Sequence, residues 1–142
     1  MKIAQLIESR GGEIHSCNAD LGVAAAAKLL AERRIGALPV VNGDEVIGIF
    51  SERDLLCAVA SEGASALERT VGEVMTAPAV TITADTHVLE ALSLMTRRRF
   101  RHLPVVDGKR MTGFVSIGDL VKQRVELAES EARAMREYIQ TA

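Results

Sequence analysis

With 142 residues, 48% of them hydrophobic, and a formal net charge of −2, the chain can form one compact domain or two intimate halves around an aliphatic core, and it carries no global field that favours a polyanion. Aromatic residues make up 3% and Trp is absent, which argues against a nucleic-acid surface built on base stacking. No apolar run approaches the roughly 18 residues needed to cross a bilayer and no signal peptide is evident, so no membrane insertion and a cytoplasmic location are expected.

Read in chain order, residues 3–7 form a short apolar segment, followed by a loop around Arg10-Gly11-Gly12. Residues 14–17 read as a strand, Asp20 as a helix cap, and residues up to about Arg34 as a helix. A strand over 38–41, a turn at Asn42-Gly43, a strand over 45–50 and a helix from Glu52 follow. Residues 61–66 are small and polar and read as a linker. Residues 71–75 resemble 3–7 at an offset of 68. The order then repeats: a strand over 79–83, a cap at Asp85 or Thr86, and an amphipathic helix through Val88, Ala91, Leu92 and Met95 to about Arg99. A strand over 103–106, a turn at Asp107-Gly108, a strand over 111–116 and a final helix complete the chain. On that helix Val121, Val125, Ala128, Ala132, Met135 and Ile139 step by four and three, a heptad-like seam that either folds back on its own core or packs on a second subunit.

The repetition is in phase. Residues 14–57 slide onto 79–122 by 65 positions without a gap. Leu38-Pro39-Val40-Val41 and Gly43 recur as Leu103-Pro104-Val105-Val106 and Gly108. Gly48, Ser51, Asp54 and Leu55 recur as Gly113, Ser116, Asp119 and Leu120. A unit present only twice predicts two halves about a pseudo-twofold axis with shared clefts, not an open solenoid.

A β-α-β-β-α unit carrying Leu-Pro-Val-Val, a turn, and then Gly-h-h-Ser-x-x-Asp (h, apolar) resembles the CBS domain, and two in tandem resemble a Bateman module. The expected fold is therefore α/β (α+β): two β-α-β-β-α repeats about a pseudo-twofold axis plus a long C-terminal helix, with bounds at 1–62, 67–125 and 126–142. The resemblance implies a sensor of adenosine-containing ligands (AMP, ADP, ATP, NAD or S-adenosylmethionine) that pairs into homodimers. It further implies a regulated enzyme or transporter as partner. The alternative is a ligand-free interaction scaffold that recruits a partner through the C-terminal helix.

The residues suit that ligand class. Ser51 and Asp54, like Ser116 and Asp119, stand three apart across a strand-to-helix turn. A carboxylate there can accept hydrogen bonds from both hydroxyls of a ribose, and the helix start favours a phosphate. The same pattern also reads as an N-cap with an acid in the first turn. By the resemblance, cleft A sets Ile49, Ser51, Arg53 and Asp54 against Val80, Thr81, Phe100, Arg101 and His102. Cleft B sets Phe114, Ser116 and Asp119 against His15, Ser16, Ile35, Gly36 and Ala37. Val80, Ile49 or Phe114 would sandwich the purine. Arg101, His102 and Arg53 give cleft A a phosphate grip, whereas Gly36 and Ala37 leave cleft B without one. Arg97, Arg98 and Arg99 read as cations at a helix C-terminus.

No catalytic constellation is present, so no enzymatic activity is expected. His15, His87 and His102 lack metal spacing, and there is no phosphate-binding glycine loop. Cys17 and Cys57 read as buried core thiols.

Overall fold

The computed structural model describes residues 1–10 and 14–141. Each Leu-Pro-Val-Val run forms the buried strand of a hairpin: β1 (Ala37–Asn42) pairs antiparallel with β2 (Glu45–Ser51), and β3 (His102–Asp107) with β4 (Arg110–Ser116). The turns fall on Gly43-Asp44 and Gly108-Lys109, and both glycines adopt φ +63°, where a Cβ would be strained. Both turns thus sit one residue later than expected, since Asn42 and Asp107 still belong to their strands. β2 meets β4 at the single pair Glu45–Arg110, giving one antiparallel sheet in the order β1-β2-β4-β3.

The two expected leading strands shrink to single parallel bridges, Cys17 to Val40 and Ile82 to Val105. Cys17 N–H donates to the Pro39 carbonyl and its own carbonyl accepts from Val41; Ile82 does the same with Pro104 and Val106. To extend either ladder backward, Pro39 or Pro104 would have to donate an N–H that proline lacks. His15 and Val80 therefore stay outside the sheet.

Helices α2 (Val23–Arg33) and α5 (Val88–Arg98) bury Val23, Ala26 and Leu30, and Val88, Ala91 and Met95, as the spacing requires. Their caps are not the expected Asp20, Asp85 or Thr86. The N-cap residues are Gly22 and His87, neither making a side-chain cap bond. The first helical N–H groups instead reach the other half's leading segment: Val23 donates to the Arg69 carbonyl at 2.8 Å and Val88 to that of Met1 at 3.0 Å.

Those bonds mark an exchange. Helix α1 (Ile3–Arg10) puts Ile3 and Leu6 into the core of the second repeat, beside Ile82, Met95 and Leu103. The short helix α4 (Val71–Val74) puts Val71 into the core of the first, beside Val23, Leu38 and Phe50. Gly48 and Gly113 admit the crossing chains. A Cβ on Gly48 would lie 2.9 Å from the Thr76 carbonyl oxygen, and one on Gly113 would lie 2.7 Å from Ile7 Cδ1.

The expected linker is structured. Helix α3 (Glu52–Glu62) runs into a 3-10 turn, Gly63–Glu68, with Ala66 fully buried, and Arg69 bridges Glu62 and Glu73. In the loop expected around Arg10-Gly11-Gly12, Arg10 ends α1, while Gly11 and Gly12 lie outside the described residues. Cys17 is buried, and burial pushes its thiol up to about 11, but Cys57 is exposed on α3, contrary to expectation. The last helix, α6 (Ile117–Thr141), does not fold back on the core: Leu120 is its one buried residue, and Val125, Met135 and Ile139 are 50%, 61% and 65% exposed. Among the described residues no helix is long and apolar enough to cross a membrane.

Candidate functional site

Strands β2 and β4 end at Ser51 and Ser116, and helices α3 and α6 start at the next residue. Ser51 closes a capping box: Asp54 N–H donates to Ser51 Oγ, and Asp54 Oδ2 accepts from Ser51 N–H at 2.8 Å and from Ser51 Oγ at 2.9 Å. Ser116 and Asp119 repeat the reciprocal pair, at 2.9 and 3.1 Å. The first helical N–H groups are also committed: Glu52 donates to the Gly36 carbonyl and Ile117 to that of Arg101. The helix starts are thus largely satisfied internally rather than held open for a phosphate, and the capping role holds in both repeats.

Capping does not take the carboxylates out of the clefts. Asp54 also accepts at Oδ1 from Thr76 Oγ1, at 2.8 Å across the gap between repeats. Thr76 is fixed there by a two-bond backbone bridge with Ile49, 2.9 Å in each direction. A carboxylate has about four lone-pair positions, and three donors already use those of Asp54. A ribose diol entering here must take over from Thr76 or Ser51.

Cleft A, about 460 Å³, is floored by Ser51, Asp54 and Ile49, with Thr76, Ala79, Val80 and Phe100 opposite. Arg53, Arg98, Arg99 and Arg101 line it as well. Arg99 ends α5 in the left-handed region, at φ 58°, and its carbonyl accepts from Arg53 Nη1 at 3.4 Å. Cleft B is smaller, about 270 Å³, with Phe114, Ser116 and Asp119 facing His15, Ile35, Gly36 and Ala37. Small-molecule sites usually measure about 300–1,000 Å³, so cleft A has room for a ligand and cleft B is tight.

His102 and Gly36 line both clefts and separate them. The His102 ring stacks on Phe114, with centroids 5.5 Å apart and an interplanar angle of 13°. A Cβ at Gly36 would sit 3.3 Å from His102 Cε1. Burial pushes the His102 pKa below its ordinary value; Asp119 and Glu52 oppose that shift and Arg101 reinforces it. Burial thus favours the neutral imidazole of His102 where it stands between the two clefts. It contributes stability in full above pH ~6.5, where both states are neutral, and loses it as pH falls towards the depressed folded pKa, because the unfolded chain takes the proton first. Melting curves at pH 7.5 and 5.5 should therefore show a larger loss of Tm for the wild type than for His102→Gln; equal losses would place the acid sensitivity elsewhere.

The CBS domain family model matches residues 9–61 and 71–126. The chain belongs to the CBS-domain family. The mitochondrial CBS domain-containing protein CBSX3 of Arabidopsis thaliana is 37% identical, across 97% of this chain and 71% of its own length. The crystal structure of the CBS-domain protein ATU1752 from Agrobacterium tumefaciens superposes with a TM-score of 0.83 at 36% identity, covering 87% of this chain and 99% of that one. CBSX2, solved in complex with AMP, shares the fold at a TM-score of 0.76 and 24% identity, over 89% of this chain and 98% of that one.

Within this CBS pair, each serine–aspartate motif faces the opposite repeat. Ile49, Ser51, Arg53, Asp54, Val80, Phe100, Arg101 and His102 gather in cleft A. His15, Gly36, Ala37, Phe114, Ser116 and Asp119 gather in cleft B. Thr81 and Ser16 do not join them. Thr81 lines an outer groove with Leu89 and Arg97, and Ser16 is exposed, because successive residues of an extended chain point to opposite sides. Reasoning from the sequence missed Thr76, which lies between two predicted elements with no signal of its own. It also missed Arg34, which lines cleft B from the left-handed end of α2, so that cleft has a basic residue after all. Arg98 and Arg99 line cleft A instead of serving only the helix end, while Arg97 faces the outer groove. His102 covers one face of Phe114, so a purine stacking on Phe114 would use the other face or displace the imidazole. No cluster of three or more metal-ligating side chains occurs among the described residues.

Proposed function

We propose that the chain is a regulatory module that binds an adenine nucleotide (AMP, ADP, ATP or NAD) in cleft A and reports occupancy to a regulated enzyme or transporter as a homodimer. One observation carries this reading: the Asp54 carboxylate lies in a cleft walled by both repeats and edged by four arginines. The sugar hydroxyls would take over donation to Asp54, the purine would rest between Ile49 and Val80, and the phosphates would meet the guanidiniums, which give bidentate charge-assisted bonds. Because the ligand touches both repeats, it favours whichever relative arrangement it binds best, and by no more than that difference in affinity. The AMP in the CBSX2 structure belongs to the same ligand class.

The test is a melting series with AMP, ADP, ATP, NAD, S-adenosylmethionine and adenosine. Ligand at 100 times its dissociation constant adds about 2.7 kcal/mol to stability. A melting temperature unmoved by all six would overturn the nucleotide reading and leave the ligand-free scaffold. Arg101→Ala should weaken ATP by about tenfold and adenosine by at most about twofold, since only the former loses a charge-assisted bond. Equal losses in titration calorimetry would place Arg101 away from the phosphates.

A further inference from the structure

From Ala128 to Thr141 every residue of α6 is exposed. This arm extends roughly 20 Å from the body at the α-helical rise. A lone helix of about 12–15 residues is marginal in water, so its stability calls for a covering partner. The seam Val121, Val125, Ala128, Ala132, Met135 and Ile139 runs along one face, with Val121 48% and Val125 50% exposed at the end nearest the body. With Val121, Ala128 and Met135 at d and Val125, Ala132 and Ile139 at a, the flanking e positions carry Lys122, Glu129 and Arg136, and the g positions Arg124, Glu131 and Tyr138.

These charges select one occupant and one direction. In a parallel pair of identical helices, each g residue faces the e residue five positions further along the other copy. Arg124 then meets Glu129 of the second copy, and Glu131 meets Arg136, so both pairs are opposite in sign. In an antiparallel pair centred on the same seam, e faces e and g faces g: Glu129 meets Glu129, Glu131 meets Glu131, and Lys122 meets Arg136, all like-charged. Alanine at the two central layers lets the backbones approach closely. We infer that α6 is the homodimerisation arm, forming a parallel two-stranded coiled coil with a second copy of this chain through the 121–139 seam. The inference rests on the dimer part of the reading above and is independent of the nucleotide.

The test uses the full chain. One variant carries Glu129→Arg with Glu131→Arg, and a second carries Arg124→Glu with Arg136→Glu; each places like charges at both g–e contacts. By sedimentation equilibrium each variant alone should dimerise at least tenfold more weakly than wild type, and an equimolar mixture should restore the dimer. Direction is read by disulfide capture in a Cys57→Ser background. Met135→Cys should cross-link to itself under mild oxidation, and Ala134→Cys, on the outer face, should not. Wild-type dimerisation unaffected by either charge variant, with no Met135→Cys cross-link, would overturn the arm and leave a dimer held by the body. A wild-type chain that stays monomeric at every concentration would overturn both the arm and the dimer reading, while the melting series would still judge nucleotide binding.

Discussion

Asp54→Ala will weaken adenine-nucleotide binding in cleft A by about 1.5–3 kcal/mol, roughly ten- to more than a hundredfold, because it removes charge-assisted hydrogen bonds to the ribose. The substitution also opens the α3 capping box and frees the Thr76 hydroxyl, so a stability loss on the order of 1 kcal/mol accompanies it, too little to unfold a typical domain. Thr76→Val separates the two effects. It removes the donor that a ribose would replace and leaves Asp54 and its cap bonds with Ser51 in place. Calorimetric titration should therefore show a large loss for Asp54→Ala and an unchanged or tighter site for Thr76→Val. If Asp54→Ala binds like the wild type, the ribose is not held by this carboxylate. If Thr76→Val loses as much as Asp54→Ala, Thr76 contacts the ligand itself instead of standing in for it.

The second large effect concerns the exchange of leading segments. Gly48→Ala should cost about 1–3 kcal/mol and Gly113→Ala distinctly less, although the two glycines occupy equivalent repeat positions. A methyl at Gly48 meets a carbonyl oxygen at 2.9 Å that belongs to the Thr76–Ile49 bridge, so relieving it stretches two backbone hydrogen bonds. It also meets Met75 Sδ at 2.7 Å, but that side chain can swing away. At Gly113 the nearest atoms are Cδ1 and Cγ1 of Ile7, and an aliphatic tip can repack. Urea unfolding of both variants checks this. Equal midpoints would mean that the crossing chain at Thr76 yields as easily as a side chain. Because that bridge also holds Ile49, against which the purine would rest in cleft A, Gly48→Ala should weaken nucleotide binding as well, and Gly113→Ala should leave cleft A unchanged.

Much of the fold was legible because its signals are local. Val23, Ala26 and Leu30, and Val88, Ala91 and Met95, repeat at helical spacing and are buried. Leu-Pro-Val-Val followed by a turn glycine reads as a hairpin in both copies. The serine–aspartate pair was legible as chemistry, but its two meanings, cap and cleft carboxylate, could not be separated: both draw on the same three-residue spacing, and the structure shows both holding at once. Asp20 and Asp85 look like caps from propensity alone. They were displaced because distant backbone carbonyls of Arg69 and Met1 already satisfy the helix starts, and no local pattern encodes that.

The sequence by itself determined the duplicated element order, the buried faces and the two acidic strand ends, since each depends on neighbours a few residues apart. Only the tertiary structure decided that each repeat lends its first helix to the other's core, that His102 partitions the clefts, that Thr76 engages Asp54, and that α6 stands clear of the body. Those outcomes depend on contacts between residues far apart in the chain, where pattern and propensity carry no information and close packing makes the choice.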